Sequence, residues 1–185
     1  MKMTMDQSLL EKKPFRFIVV GSGWRSLFYW RIACAYPELF TMETMLCRTD
    51  EKAGAMRRQY GVPAITSEAA CEAMKPDFVV IAVNKASIFS ETKRWAKKGY
   101  PVLCETPAAL KLEDLKELWR MKTEEGAKIQ VAEQYYLYPS FAAAMEVVRR
   151  GYLGDVTMMN LSAVHDYHGA SVIRRMLGTG LQNMA

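Results

Sequence analysis

A short apolar run that passes directly into a glycine-rich turn places the strongest constraint on how this chain can fold. Phe15–Val20 is almost continuously apolar, as expected of a strand buried on both faces of a sheet. The turn Gly21-Ser22-Gly23-Trp24-Arg25-Ser26 follows at once, and a helical pattern then extends to about Ala35. The chain therefore opens with a buried strand, a tight turn and a helix.

The same alternation continues through the first two-thirds of the chain. The period of the apolar residues switches repeatedly between strand-like and helix-like, with short connections. This order predicts a doubly wound parallel α/β sheet, because parallel neighbours require right-handed helical crossovers. Asp50 and Ser67 are predicted helix caps. Further strands are predicted over residues 43–47, 64–65, 77–83, 101–104 and 128–132, and helices over residues 50–60, 68–74, 87–98 and 112–125.

The pattern changes after about Glu133, which predicts a domain boundary. Residues 1–13 are polar and predict a flexible leader, and residues 14–133 form the predicted α/β domain. Residues 134–185 contain a predicted helix over 140–150, a strand over 156–164 and a helix over 171–177. We interpret this segment as the start of an incomplete second α/β domain.

The glycine turn has the composition of a phosphate-binding loop. Gly21 permits a tight turn, and Gly23 lets the backbone approach a pyrophosphate without a Cβ in the way. Free N–H groups at the start of the helix then bind the phosphates. Ser26 occupies the position of the usual third glycine and is small enough for close helix–strand packing. The position after the first strand predicts a Rossmann-type dinucleotide-binding domain, and an ordinary glycine-rich turn is the alternative.

The end of the second predicted strand bears on the choice between NAD and NADP. An acidic residue there would accept hydrogen bonds from the adenosine ribose, but the chain has Arg48 and Thr49. Both residues can hold a 2′-phosphate, which favours NADP over NAD. Asp50 is the main objection, although we interpret it as a helix cap. The alternative for Arg48 is a surface arginine that stacks loosely on adenine.

Several segments together resemble the Gfo/Idh/MocA family of NAD(P)-dependent oxidoreductases, which act mainly on sugars and cyclitols. The similar segments are the glycine turn, DFVVIAV (77–83), GYPVLCETPAAL (99–110), EQYYLYPSF (133–141) and RGYLGDV (150–156). The resemblance covers about residues 14–160. It implies a Rossmann domain followed by a second domain that carries the substrate site and usually the oligomer contact, so it implies a homo-oligomer for a full-length protein.

The chain differs from the family at a residue to which the family's catalytic role is assigned. The family has a Glu-Lys-Pro motif whose lysine is expected to bind substrate and assist proton transfer, whereas this chain has Glu105-Thr106-Pro107. Threonine can donate a hydrogen bond, but it is a poor acid–base group at neutral pH. Lys85, which follows the strand over 77–83, is a candidate to replace the missing ammonium. A surface lysine is the alternative.

His168 is the best match to the histidine that the family carries downstream. It lies ten residues before Gly178, as the family's histidine lies before a glycine that ends a helix. His165, Asp166 and His168 could together form an acid–base cluster, and structural or surface roles are the alternative. Tyr135 and Tyr138 are candidates to line the nicotinamide cleft or to pack between domains.

These considerations define the predicted site residues. The candidate catalytic residues are Glu105, Thr106, Lys85 and His168. The candidate cofactor-binding residues are Gly21, Ser22, Gly23, Trp24, Arg25, Arg48, Thr49, Val83, Asn84 and Glu105.

The predicted function is hydride transfer between NAD(P) and a sugar, cyclitol or related polyol. The alternatives are a catalytically silent NAD(P)-binding sensor or assembly subunit, and an inactive fragment of a longer enzyme. The net charge is +5, but basic and acidic residues are interspersed, which argues against a nucleic-acid partner. No apolar run approaches the ~20 residues of a membrane span, and the four cysteines show no metal-binding spacing. We expect a cytoplasmic protein.

Overall fold

A computed structural model describes residues 13–164 and 166–179 of the chain. Its centre is a six-stranded parallel sheet with the strand order β3-β2-β1-β4-β5-β6. The predicted doubly wound sheet is therefore confirmed. The strands are β1 (Phe15–Val20), β2 (Phe40–Leu46), β3 (Ala64–Ile65), β4 (Phe78–Ile81), β5 (Val102–Cys104) and β6 (Ile129–Val131).

Helices connect successive strands and cover both faces of the sheet. The side chains of β1 alternate between two buried clusters, as the period of two in a strand requires. Phe17 and Val19 pack in one cluster, while Ile18 and Val20 pack in the other, which also contains Trp95. The helices of this part are α1 (Ser26–Ala35), α2 (Asp50–Tyr60), α3 (Glu68–Ala73), α4 (Ile88–Lys97) and α5 (Leu112–Thr123).

The predicted helix caps are half right. Ser67 caps α3, because its side chain accepts a hydrogen bond from the backbone N–H of Ala70. The cap of α2 is Thr49, whose side chain accepts from the N–H of Lys52, so the interpretation of Asp50 as the cap was wrong. Asp50 is instead the first residue of the helix, where a carboxylate favours the positive end of the helix dipole.

The chain divides into two compact units between Val131 and Ala132. The described residues of the second unit form a 3-10 helix (Tyr135–Leu137), α6 (Pro139–Arg149) and α7 (Asp166–Met176). The predicted strand over 156–164 was wrong, because these residues form no strand. A strand needs a partner for its backbone groups, and no strand lies in the described part of this unit. The role of this unit as a substrate or oligomerisation domain stays a prediction.

Within the described ranges, every helix is too short or too polar to cross a membrane.

Candidate dinucleotide site

The carboxyl ends of the central strands bring the predicted site residues of the first unit to one edge of the sheet. The N–H of Gly21 donates to the carbonyl of Leu46 at 3.0 Å, which ties the glycine turn to the end of β2. The N–H of Glu105 donates to the carbonyl of Ile81 at 2.9 Å, which joins the ends of β5 and β4. The chain reverses its direction of winding between β1 and β4. Ligands of open α/β sheets bind at the carboxyl edge beside such a reversal.

Gly21 adopts a backbone conformation that fits only glycine. Its φ is +117°, outside the range of residues with a side chain. A Cβ at this position would also lie 2.2 Å from the carbonyl oxygen of Ala82, at the end of β4. Gly21 therefore allows the turn to press against the neighbouring strand.

Gly23 serves a different purpose, because it faces open space. A Cβ added there would meet no atom of the described chain within 4 Å, so glycine is not required by packing. Gly23 lies three residues before Ser26, the first residue of α1, where backbone N–H groups point out of a helix start. A bare backbone beside a helix start fits a pyrophosphate that must approach closely. The residues present therefore fit the phosphate portion of a dinucleotide.

The two remaining residues of the loop differ in burial: Ser26 faces the core and Trp24 faces solvent. Ser26 is fully buried, and its hydroxyl donates to the carbonyl of Ala82 at 3.3 Å. It therefore packs α1 against the sheet, as the sequence predicted for the third position of the motif. Trp24 is 71% exposed and meets Phe28 edge to face, with 5.3 Å between the ring centroids.

Glu105 connects the end of β5 to the glycine loop. One of its carboxylate oxygens accepts from the Nε of Arg25 at 2.8 Å and from the hydroxyl of Tyr29 at 2.5 Å. Glu105 is only 7% exposed, so these charge-assisted bonds lie in a poorly solvated place. Burial and the nearby Glu105 charge raise the pKa of Tyr29 above its ordinary value, so its hydroxyl stays a donor at neutral pH.

Arg48 and Thr49 lie exposed beyond the end of β2. The hydroxyl of Thr49 accepts from the N–H of Lys52 at 3.3 Å, so this hydroxyl serves α2. Asp50 accepts a hydrogen bond from the hydroxyl of Thr66 at 2.7 Å. The exposed surface at the end of β2 therefore presents the guanidinium of Arg48 beside a carboxylate that already has a donor.

The remaining candidates in the first unit follow β4 and β5. Val83 is half-buried, while Asn84 and Lys85 are exposed. The side-chain oxygen of Asn84 accepts from the N–H of Ser87 at 3.0 Å, which shapes the turn before α4. Thr106 is half-buried and directly follows Glu105 at the end of β5. These positions belong to the same edge as the glycine loop, and their roles stay predictions.

The second unit contains a cluster of side chains around His168. The Nδ1 of His168 lies 2.5 Å from one carboxylate oxygen of Glu133. The other oxygen of Glu133 accepts from the backbone N–H of Tyr135 at 3.0 Å. The rings of Tyr135 and Tyr167 flank the imidazole at centroid distances of 4.5 and 4.4 Å. His165 of the predicted acid–base cluster lies outside the described residues.

The structure adds two candidate functional residues, Tyr29 and Glu133, that were not predicted from the sequence. Tyr29 is 76 residues from Glu105 in the chain, and it looks like an ordinary aromatic residue of an amphipathic helix. Glu133 lies just before three tyrosines, and the sequence analysis assigned a possible role to the tyrosines but none to Glu133. A signal for Tyr29 does exist, because it lies one helical turn after Arg25 and shares its side of α1.

In the described residues, three of the four free cysteines are buried and Cys34 is exposed. No group of three metal-ligating side chains occurs there. Cys47, Cys71 and Cys104 are buried free thiols. Burial raises the pKa of Cys71 and of Cys104 to about 11, so both are protonated at neutral pH and poorly nucleophilic.

The strand order, the positive φ of Gly21 and the open backbone at Gly23 together define a dinucleotide-binding α/β protein. Residues 15–133 match the GFO_IDH_MocA family, described as an oxidoreductase family with an NAD-binding Rossmann fold. The chain belongs to this family. The resemblance found in the sequence is thereby confirmed, as is the Rossmann fold.

Relatives and solved structures agree with this assignment. An inositol 2-dehydrogenase of Rhizobium meliloti (strain 1021) is 26% identical over 111 residues, which cover 60% of this chain and 34% of that protein. The scyllo-inositol dehydrogenase of Lactobacillus casei with bound NAD(H) and scyllo-inositol has the same fold, with a TM-score of 0.74 at 16% identity. That match covers 90% of this chain and 57% of the other. The chain spans about a third of the length of the curated relatives it matches.

Proposed function

We propose that this chain binds a nicotinamide dinucleotide and supports hydride transfer to or from a sugar, cyclitol or related polyol. The observation that carries the proposal is the open backbone at Gly23, three residues before α1, in a loop tethered to Glu105. Family membership supports the oxidoreductase class. The bound nicotinamide would supply the hydride acceptor or donor.

The residues of the chain would supply binding, orientation and proton transfer. The N–H groups around Gly23 hold the pyrophosphate, and Glu105 orients the part of the cofactor nearest the end of β5. Thr106 donates a hydrogen bond to the reacting hydroxyl but cannot act as its base. His168 is the proposed proton acceptor, because a neutral imidazole has one nitrogen that accepts. Lys85 supplies a positive charge in place of the missing motif lysine.

The substrate class rests on the relatives. Both an inositol 2-dehydrogenase and a structure with bound scyllo-inositol are similar to this chain. Thr106 fits such substrates, because an uncharged hydroxyl can pair with a hydroxyl of a polyol. We propose a neutral polyol on these grounds.

We also propose that the cofactor is NADP more readily than NAD. Arg48 is exposed at the end of β2, where the 2′ position of the adenosine ribose lies in this fold. Asp50 accepts a hydrogen bond from Thr66, which engages the carboxylate that would otherwise favour the ribose of NAD.

Cofactor binding is tested by calorimetric titration of the purified chain with NADH and NADPH. We expect saturable binding at about micromolar concentrations. Gly23→Val should weaken it by about tenfold or more, because the new side chain enters the open space. Thr41→Val is the control, since Thr41 is exposed on β2 opposite Arg16, away from the carboxyl edge. Undiminished affinity in Gly23→Val would remove the glycine loop from the proposed site.

The cofactor preference is tested by Arg48→Ala. This change should lower the affinity for NADPH by about tenfold and leave that for NADH unchanged, because only NADPH carries the 2′-phosphate. Arg58→Ala removes an exposed arginine of α2, the helix that follows Arg48, and should change neither affinity. Equal losses for both cofactors in Arg48→Ala would contradict a phosphate-reading role.

Hydride transfer is tested by following reduced nicotinamide while the chain is incubated with NAD⁺ or NADP⁺ and a panel of inositols and sugars. Thr106→Ala should lower turnover and leave the cofactor affinity intact, because Thr106 is assigned to the substrate. Thr41→Ala is the matched control on the opposite edge of the sheet. Unchanged turnover in Thr106→Ala would exclude Thr106 from the site.

A cofactor-binding sensor or assembly subunit is the second candidate function. The replacement of the motif lysine by Thr106 favours it, since a sensor needs the glycine loop but no acid–base group. Tight cofactor binding without turnover on any member of the panel would support this candidate over the oxidoreductase.

A further inference from the structure

Tyr29 connects the first helix to the end of β5 through its hydroxyl. This hydroxyl donates to Oε1 of Glu105 at 2.5 Å, and the same oxygen accepts from the Nε of Arg25 at 2.8 Å. The backbone of Glu105 is fixed as well, since its N–H donates to the carbonyl of Ile81 at 2.9 Å. Glu105 is therefore held at its backbone by β4 and at its side chain by the glycine loop and α1.

The two carboxylate oxygens of Glu105 differ in their surroundings. Both hydrogen bonds that its side chain accepts from the described residues end on Oε1, so Oε2 receives none of them. The described side-chain oxygens that are fully buried without a partner belong to Thr92 and Gln134, so Oε2 of Glu105 is reachable from solvent. An ionised carboxylate has about four lone-pair sites, and those of Oε2 can accept from a ligand. Because Glu105 is only 7% exposed, bulk water competes weakly for them.

The ring and the hydroxyl of Tyr29 have separate surroundings. The ring packs against the buried cluster that contains Phe17 and Val19. The hydroxyl binds Glu105, which is not a member of that cluster. Burial and the charge of Glu105 raise the pKa of Tyr29 above its ordinary value of 10.0, so the hydroxyl remains a donor at neutral pH. Replacement of this tyrosine by phenylalanine would therefore keep the packing and remove only the hydrogen bond.

We propose that Tyr29 is a positioning residue of the dinucleotide site: its hydroxyl and Arg25 hold Oε1 of Glu105, so that Oε2 accepts a hydrogen bond from the bound dinucleotide. This inference rests on the proposed function, because it assigns the residue that orients Glu105 towards the cofactor. A dinucleotide binds across the point where the winding of the sheet reverses, and Glu105 follows β5 in the half that β4, β5 and β6 form. The ligand group is a hydroxyl or an amide N–H, since an ionised carboxylate only accepts hydrogen bonds.

Calorimetric titration with NADH tests the role of the hydroxyl. Tyr29→Phe should weaken NADH binding by about tenfold, because Glu105 loses a charge-assisted hydrogen bond and with it a fixed orientation. Tyr36→Phe is the matched control, since it removes the hydroxyl of an exposed tyrosine directly after α1 and should leave the affinity unchanged. Circular dichroism checks that both variants are folded. Equal NADH affinity in Tyr29→Phe and in the unaltered chain would overturn the inference.

A double-mutant cycle tests whether Tyr29 acts through Glu105. Glu105→Gln keeps the shape of the side chain but removes its charge, so the hydroxyl of Tyr29 has only a neutral amide to bind. In this background Tyr29→Phe should weaken NADH binding by less than about threefold, because the two residues act as a pair. A loss as large as the one measured with Glu105 present would show that Tyr29 supports the site by packing alone, and would overturn the inference.

Infrared difference spectroscopy measures the contact at Oε2 directly and uses the unaltered chain, so it does not depend on how the Tyr29 variant folds. Addition of NADH should shift the carboxylate stretching band of Glu105, because a new donor binds one of its oxygens. The band is assigned by its absence in Glu105→Gln. NADH binding without this shift would overturn the inference and leave the proposed function intact. A chain that binds neither NADH nor NADPH would overturn the proposed function, and the inference with it.

Discussion

At the scale of single residues, Glu105 is the point where two parts of the candidate site are joined. It belongs to the end of β5, yet both of its side-chain donors, Arg25 and Tyr29, come from the glycine loop and α1. A carboxylate so deeply buried needs such partners, because an unpaired one would be strongly destabilising. The site is therefore held in shape by the chain itself before any ligand is bound.

Gly21→Ala is expected to destabilise the chain strongly. The added Cβ would lie 2.2 Å from the carbonyl oxygen of Ala82, and the φ of +117° would strain any residue with a side chain. Together these effects should remove roughly 2–5 kcal/mol of unfolding free energy, measured by urea denaturation. Gly61→Ala is the control, because Gly61 has a positive φ of +65° but open space at its Cβ, so about 1–2 kcal/mol is expected. Equal losses in the two variants would show that the clash contributes nothing.

At the scale of secondary-structure elements, the sequence predicts the first unit well because local signals agree there. Strands β4 and β5 are apolar runs and β1 is nearly one, each next to a helical pattern, and Ser67 has the residue type of a cap. The strand predicted over 156–164 failed, since a strand also depends on a partner that local sequence does not encode. The pairs Tyr29–Glu105 and Glu133–His168 were missed for the same reason, because the fold brings together residues that are 76 and 35 positions apart.

Ion pairs between α3 and α4 are expected to make stability depend on acid. Burial alone would raise the pKa of Glu68, but Lys98 and Arg94 outweigh it and hold the pKa below its ordinary value of 4.5. Because the pKa is lowered in the folded state, the stabilisation is present above pH 4.5 and is lost as the pH falls through the folded-state value. Glu68→Gln should therefore lower stability by up to about 1 kcal/mol at pH 7, since the pairs are partly exposed.

Urea denaturation at several pH values measures this effect. The difference between wild type and Glu68→Gln should shrink to zero as the pH falls well below 4.5. Glu38→Gln, at an exposed position before β2, is the control and should show no comparable difference at any pH. A difference that persists in acid would show that Glu68 stabilises through packing and not through charge.

At the scale of the whole molecule, the apolar core is concentrated in the first unit. Both core clusters consist of residues up to Val131. In the second unit, as far as it is described, the buried apolar side chains are those of Val172 and Met176. Exposed apolar residues of this unit include Tyr152 and Met158. The two units therefore differ greatly in the apolar surface that each removes from water.

A fragment that ends at residue 133 is accordingly expected to fold by itself. It should keep a cooperative urea transition and the NADH affinity of the whole chain, because the core clusters and the glycine loop are retained. The complementary fragment from residue 134 should show no cooperative transition, since so few of its described side chains are buried. Calorimetry and circular dichroism measure both properties. A non-cooperative first fragment would show that the second unit is needed for its stability.

The position of β1 in the sheet has a consequence for synthesis of the chain. It is the first of the described strands to be made, yet it lies inside the sheet, where Phe17 pairs with Phe78, 61 positions later. At about 5–20 residues per second, a ribosome would need about 3–12 s to supply that partner. During this time one edge of an almost continuously apolar strand remains open in the nascent chain. The interval between translation of β1 and of β4 is thus the period in which this protein is most exposed to wrong pairing.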